Sequence, residues 1–180
     1  MKDFLKRVFL KYVVGYSDPQ KYWEMRWRLG LHAEVETAKS GKKLAPKIRR
    51  IMRKHECMNV LEIGCGSAPL CELPNYLGLD FSSVALTQSG LKRFIHADVT
   101  QKIPLPDKSY DAVLCRFVLL HIPFPRIECT VKEISRVAKK CIILQEPWGE
   151  EQKHSQPHCF THNLPMLFEN YFLGAVVFIA

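Results

Sequence analysis

Asn59-Val-Leu-Glu-Ile-Gly-Cys-Gly-Ser-Ala-Pro-Leu70 is the stretch that decides the fold of this 180-residue chain. Val60, Leu61 and Ile63 make a short apolar run that ends in a glycine turn, the pattern of a buried parallel strand running into a loop. Gly64 and Gly66 remove Cβ atoms where the chain turns, so a ligand can come close to the main chain. Pro69 suits the first turn of a helix, and only a short one fits before Pro74. A second apolar run, Tyr76-Leu-Gly-Leu-Asp80, ends on an acid able to accept hydrogen bonds from both hydroxyls of a ribose. Strand, glycine loop, helix, strand and acid together describe a nucleoside-binding unit.

Two familiar nucleotide patterns are excluded. A dinucleotide fingerprint counted from Gly64 ends on Pro69, which is neither Gly nor Ala, and no Gly-Lys-Ser/Thr follows to make a P-loop. The pattern Glu62-x-Gly64-x-Gly66 instead resembles the first motif of the class I S-adenosylmethionine (SAM)-dependent methyltransferases, and Asp80 matches their ribose-binding acid. Three later stretches are similar to the same family: Phe94-Ile-His-Ala-Asp98-Val, Ile103 to Cys115, and Phe117-Val-Leu-Leu-His121-Ile. The likeness runs from about Tyr22 to Tyr171. It departs at Ala68, where many relatives have glycine.

The resemblance implies a set of roles. Gly64, Cys65 and Gly66 would follow the methionyl part of SAM, with Glu62 supporting the loop. Asp80 would hold the ribose, Phe81 would lie against the adenine, and Asp98 with Val99 would meet its edge. Arg116, where the fourth strand emerges at the ligand crevice, is expected to contact SAM's carboxylate or an acidic substrate. His121 is the candidate general base. Tyr22-Trp-Glu-Met-Arg-Trp27 is like a segment that helps close the family's SAM pocket; spacing alone says only that Trp23 and Trp27 share a helix face. His154, His158, Cys159 and His162 have metal-like spacing, but no second ligand pair accompanies them and no metal site is assigned.

Composition narrows the partners. No apolar run reaches the roughly 18 to 20 residues that span a bilayer. Seven cysteines, an odd number without a Cys-x-x-Cys pair, fit a reducing cytoplasm. Of the net charge of +8, residues 1 to 56 hold fifteen basic against six acidic residues and the remainder eleven against twelve. The basic excess therefore precedes the nucleoside-binding unit. Residues 1–15 read as a basic amphipathic helix, either packed over the domain or in peripheral contact with an anionic membrane. Lys43, Lys47, Arg50 and Lys54 line one helix face, which is a solvated surface or a track for a nucleic-acid backbone.

The expected architecture is α/β: a doubly wound, Rossmann-like, mostly parallel sheet with N-terminal capping helices. Residues 1–56 are read as the helical cap and 57–180 as the SAM-binding core of one compact domain. Gly41 is taken to separate two helical segments, a helix is expected over Arg126 to Ala138, and a long polar loop after Glu146. The family usually ends its sheet with two further strands where this sequence shows one, Ala175 to Ile179; a sheet shortened at its C-terminal strands or a fragment both satisfy this. The implied function is methyl transfer from SAM to a small-molecule acceptor. An RNA or protein acceptor, or a non-catalytic SAM-binding accessory role, are the alternatives. No Asn-Pro-Pro-Tyr-like tetrapeptide follows the fourth strand, where Cys115-Arg-Phe-Val stands instead.

Overall fold

A computed structural model describes residues 5, 8, 17–31, 34–156 and 158–179, with backbone alone for 34–40, 42, 155 and 156. The helix expected over residues 1–15 lies almost wholly outside the described residues.

Eight strands are described: β1 (Val60–Ile63), β2 (Tyr76–Asp80), β3 (Phe94–His96), β4 (Tyr110–Arg116), β5 (Ala138–Gln145), β6 (Lys153–Gln156), β7 (Cys159–Thr161) and β8 (Ala175–Phe178). Six form one sheet in the order β3-β2-β1-β4-β5-β8, and every neighbouring pair runs parallel. The order reverses between β1 and β4, and the crevice outside the carboxyl ends at such a point is where α/β sheets bind ligands.

Strand alternation sorts the apolar side chains onto two faces. Leu61, Ile63, Val113, Cys115, Ile142 and Leu144 belong to one core cluster. Val60, Ala112, Leu114, Cys141 and Ile143 belong to the other. Helix α4 (Phe124–Val137) covers the first face with Ile127, Val131, Ile134 and Val137, the positions that the sequence periodicity selects. Pro125 lies in its first turn, where the missing N–H is tolerated. Helix α5 (Leu164–Glu169) adds Leu164 and Phe168 to the same cluster.

Helix α2 (Glu34–Lys54) covers the second face with Leu44, Ala45, Ile48 and Met52. The residues read as the N-terminal cap contain two described helices. Helix α1 (Pro19–Arg28) stands over the ligand end, whereas α2 is a layer of the core. Nor does Gly41 break the helix. It is buried, and a Cβ there would meet Pro69 Cβ at 2.6 Å, so the missing side chain lets the helix lie close on the loop after β1.

Two further expectations are corrected. Between β1 and β2 there is no helix after Pro69; successive turns close through Ala68 N to Cys65 O, Cys71 N to Ala68 O and Leu73 N to Leu70 O. Ala68 and Asn75 adopt positive φ, which interrupts helical propagation at both ends of this loop. The stretch after Glu146 contains an antiparallel hairpin, β6 with β7, in which His154 faces Phe160 and their rings stack at 4.8 Å. Helix α3 (Ser83–Ser89) begins at the N-cap Ser82 and ends at Gly90, as its sequence signals require.

Candidate ligand site

At the carboxyl ends of β1, β2 and β4 lies a cavity of about 390 Å³, within the range of small-ligand pockets. The structure brings Gly64, Gly66, Asp80, Phe81, Asp98, Val99 and His121 together along its wall. Trp23 and Trp27 reach it from α1, and Phe117, Val118 and Arg126 from the segment after β4.

The glycine loop and the first acid form one unit. Asp80 is 6% exposed, yet its Oδ2 accepts the Gly66 N–H and its Oδ1 the Ser82 N–H, each at 2.9 Å. Burial pushes its carboxyl up while these backbone donors oppose the shift. A carboxylate offers about four acceptor directions, and those the backbone donors do not take remain for a ligand's hydroxyls. Asp98 is steadied by Thr100 N at 2.8 Å. Phe81 is fixed through its carbonyl, which accepts a hydrogen bond from His96 Nε2 at 3.0 Å.

Both glycines are required by space as well as by backbone. Gly64 has φ +62 and a Cβ there would lie 2.3 Å from Val118 Cγ2; Gly66 has φ +51 and would strike the Trp27 ring at 2.9 Å. Helix α1 is held in this position by its own cap and by a clamp. Asp18 accepts Lys21 N, and Glu24 Oε1 accepts both the N–H and the hydroxyl of Ser83 at the start of α3.

His121 lines the cavity, but its surroundings alter the expected chemistry. Its Nδ1–H donates to the His158 carbonyl at 2.5 Å, and its ring lies 4.7 Å from Trp23 and stacks on His158. Burial lowers its pKa to about 4. At neutral pH it is an uncharged, weakly basic imidazole, better suited to orienting a group than to removing its proton.

Glu62, Cys65 and Arg116 are not in the lining. Arg116 is 8% exposed and turned along the sheet, with Nη1 3.8 Å from Glu62 Oε1 and Nε donating to Gln145 Oε1 at 3.1 Å. The structure turns Arg116 away from the expected ligand contact, toward the buried Glu62 and the half-buried Gln145. Tyr76 donates its hydroxyl to Glu62 at 2.5 Å, and burial still lifts the Glu62 pKa to about 7. Cys65 is buried against Gly78, where a Cβ would come within 2.7 Å of its Sγ.

Sequence reasoning missed Glu146. This buried acid accepts the N–H groups of Val118, Leu119 and Leu120 at 2.7, 3.0 and 3.4 Å, and so holds the start of the short 3-10 turn Leu119–His121. Burial raises its pKa to about 7. The available signal was position: Asp80 is the last residue of β2, and Glu146 directly follows β5. Among the described residues no group of three or more ligating side chains is placed to hold a metal, and no helix is long and apolar enough to cross a membrane.

Residues 61–141 match a family model described as a methyltransferase domain. The chain is similar to the tRNA N(3)-cytidine methyltransferase METTL2 of Gallus gallus, at 32% identity over 100 residues, covering 44% of this chain and 27% of that protein. It is also similar to two solved structures. One is SAM-bound CalS10, an amino pentose methyltransferase from Micromonospora echinaspora, with 18% identity, TM-score 0.49, and coverage of 59% of this chain and 52% of that one. The other is a SAM-dependent methyltransferase from Archaeoglobus fulgidus, with 22% identity, TM-score 0.48, and coverage of 61% and 54%.

Proposed function

We propose that this chain, whose core is a methyltransferase domain of the class I SAM-dependent family, binds SAM in the cavity beside Asp80 and transfers its methyl group to an acceptor entering past Phe117. The observation that carries the reading is the joining of Gly66 and Asp80: one backbone N–H fixes the acid at the head of a crevice that two side-chain-free residues leave open. When bound, SAM supplies a methyl carbon already activated by its sulfonium.

The residues here fit that group. Gly64 and Gly66 expose main chain, Asp80 presents a carboxylate for ribose hydroxyls, and Phe81, Asp98 and Val99 stand where an adenine would be framed. Displacement at such a carbon asks the protein mainly to hold two reactants in line. His121, whose Nδ1–H donates to the His158 carbonyl, stands in the cavity wall and orients an acceptor group there. An odd number of cysteines without a Cys-x-x-Cys pair supports a reducing, cytoplasmic setting.

The test is calorimetric titration with S-adenosylhomocysteine, for the wild type and for Asp80→Ala. Binding by the wild type that weakens at least tenfold in a folded variant is the expected result. A folded wild type that takes up no S-adenosylhomocysteine would overturn the proposal.

For the acceptor, sequence features point to a small molecule. One structural observation favours RNA as a second reading: Lys43, Lys47, Arg50 and Lys54 are all exposed on α2. The likeness to a tRNA methyltransferase supports the same reading.

A further inference from the structure

We infer that Phe117 is a stacking platform for the acceptor, and that the acceptor is a nucleotide whose base lies on this ring and whose phosphate meets Arg126. This rests on the proposal that the cavity holds the methyl donor. It starts from a local oddity. Phe117 has φ +51, a left-handed conformation that is an outlier for a bulky side chain. Its ring is 50% exposed, and it lines the cavity.

Among the described residues, five non-glycine residues have positive φ: Glu56, Ala68, Asn75, Lys108 and Phe117. Only Phe117 is aromatic, and only Phe117 lines the cavity. Its conformation is imposed from both sides. The Phe117 N–H donates to Gln145 O at 3.0 Å, and the next two N–H groups are taken by the buried Glu146 carboxylate. The fold thus holds a large ring half in water on a strained backbone. Strain over-determined by surrounding contacts is characteristic of ligand sites.

Position says which ligand. Cys115 of β4 is in register with Ile63 of β1, and Gly64 abuts Val118, so Phe117 and the glycine loop flank one crevice. A flat ring entering past Phe117 meets further π surface on Trp23 and His121, which are themselves in edge contact. Aromatic side chains accept any base on their faces. Arg126 lines the same mouth, and a planar guanidinium matches phosphate geometry. Ring and anion together are the chemistry of a nucleotide, either free or within a strand.

The probe is 2-aminopurine, whose fluorescence is quenched on stacking, used as the riboside monophosphate and within a ten-nucleotide single-stranded RNA. Each is titrated into the full chain with and without saturating S-adenosylhomocysteine, for wild type, Phe117→Leu and Phe117→Tyr. Quenching by wild type and by Phe117→Tyr is expected. In Phe117→Leu the affinity should fall about tenfold, with the melting midpoint not lowered. Quenching of both probes assigns a free nucleotide, and of the RNA alone a strand. No quenching by the wild type, or equal affinity in Phe117→Leu, overturns the inference. Failure of the cofactor reading shows separately, in calorimetry before any probe is added.

Discussion

Glu62 and Arg116 stand 3.8 Å apart inside the sheet, 2% and 8% exposed, beneath the cavity rather than along it. Strand alternation puts Tyr76 and Glu62 on the face covered by α2, and Arg116 joins them from β4. With Glu146 also buried nearby, two acids share one guanidinium. Removing Arg116 leaves both acids buried and without it. Loss of one member of a buried ion pair typically costs about 3–5 kcal/mol. Because each acid can take up a proton near pH 7, Arg116→Ala should lose about 3 kcal/mol near pH 6 and more at pH 8, measured by urea unfolding. A direct ligand role would instead lower S-adenosylhomocysteine affinity at unchanged stability.

The same network sets a pH dependence. Glu62 and Glu146 have folded pKa values of about 7, raised from 4.5 chiefly by burial. Between those values the folded chain binds more protons than the unfolded one, so stability falls as pH rises through this window and levels off above it. The slope is at most about 1.4 kcal/mol per pH unit for each proton involved. His121 has the opposite sign: its depressed pKa makes stability rise with pH from about 4 to 6.5. The clean readout is therefore the difference between wild type and Glu146→Gln. Wild type should lose stability relative to the variant from pH 5 to 7, and a flat difference would refute the assignment.

His121 gives an independent spectroscopic check. Its imidazole C2–H resonance should titrate near pH 4, well below an ordinary histidine, because burial disfavours the cation. A midpoint near 6.5 would mean that the contacts with Trp23 and the His158 carbonyl do not persist in solution.

Where the sequence could be read, the signals were local. The apolar runs of β1, β4 and β5, the period of α4 and the acid that ends β2 each depend on residues close in the chain. What was misread depends on distant partners. Gly41 looks like a helix break until Pro69 is seen against it. Ala68 gives no hint of a left-handed backbone, and without that the turn after Pro69 reads as a helix. Arg116 looks like a ligand contact because its inward partner, Glu62, lies one strand away. The polar stretch after Glu146 becomes a hairpin only through the facing of His154 and Phe160.

Gly64→Ala should separate cradle from scaffold. A left-handed backbone costs a non-glycine residue roughly 1–2 kcal/mol. Overpacking against Val118, whose N–H is pinned to Glu146, adds about 1–3 kcal/mol. Thermal unfolding should report the sum, and calorimetry a parallel loss of S-adenosylhomocysteine affinity. Gly90→Ala is the control: it shares a positive φ of 68° but a Cβ there meets nothing within 4 Å. It should cost only the backbone contribution and leave affinity intact.

The exposed cations of α2 test the RNA reading by salt. Lys43, Lys47, Arg50 and Lys54 extend along about 16 Å of helix, at a rise of 1.5 Å per residue. Lys47, Arg50 and Lys54 also border a groove against Val177 and Phe178 at the sheet edge. If all four meet phosphates of a single strand, log affinity should fall with log salt at a slope of roughly −3, about 0.7 for each contact. Replacing Lys47 and Arg50 by glutamine should halve that slope and weaken binding equally for every sequence, because phosphate contacts carry no base information. A slope that stays near zero in wild type would leave α2 as a solvated face. It would assign acceptor recognition to the cavity mouth, at Phe117 and Arg126.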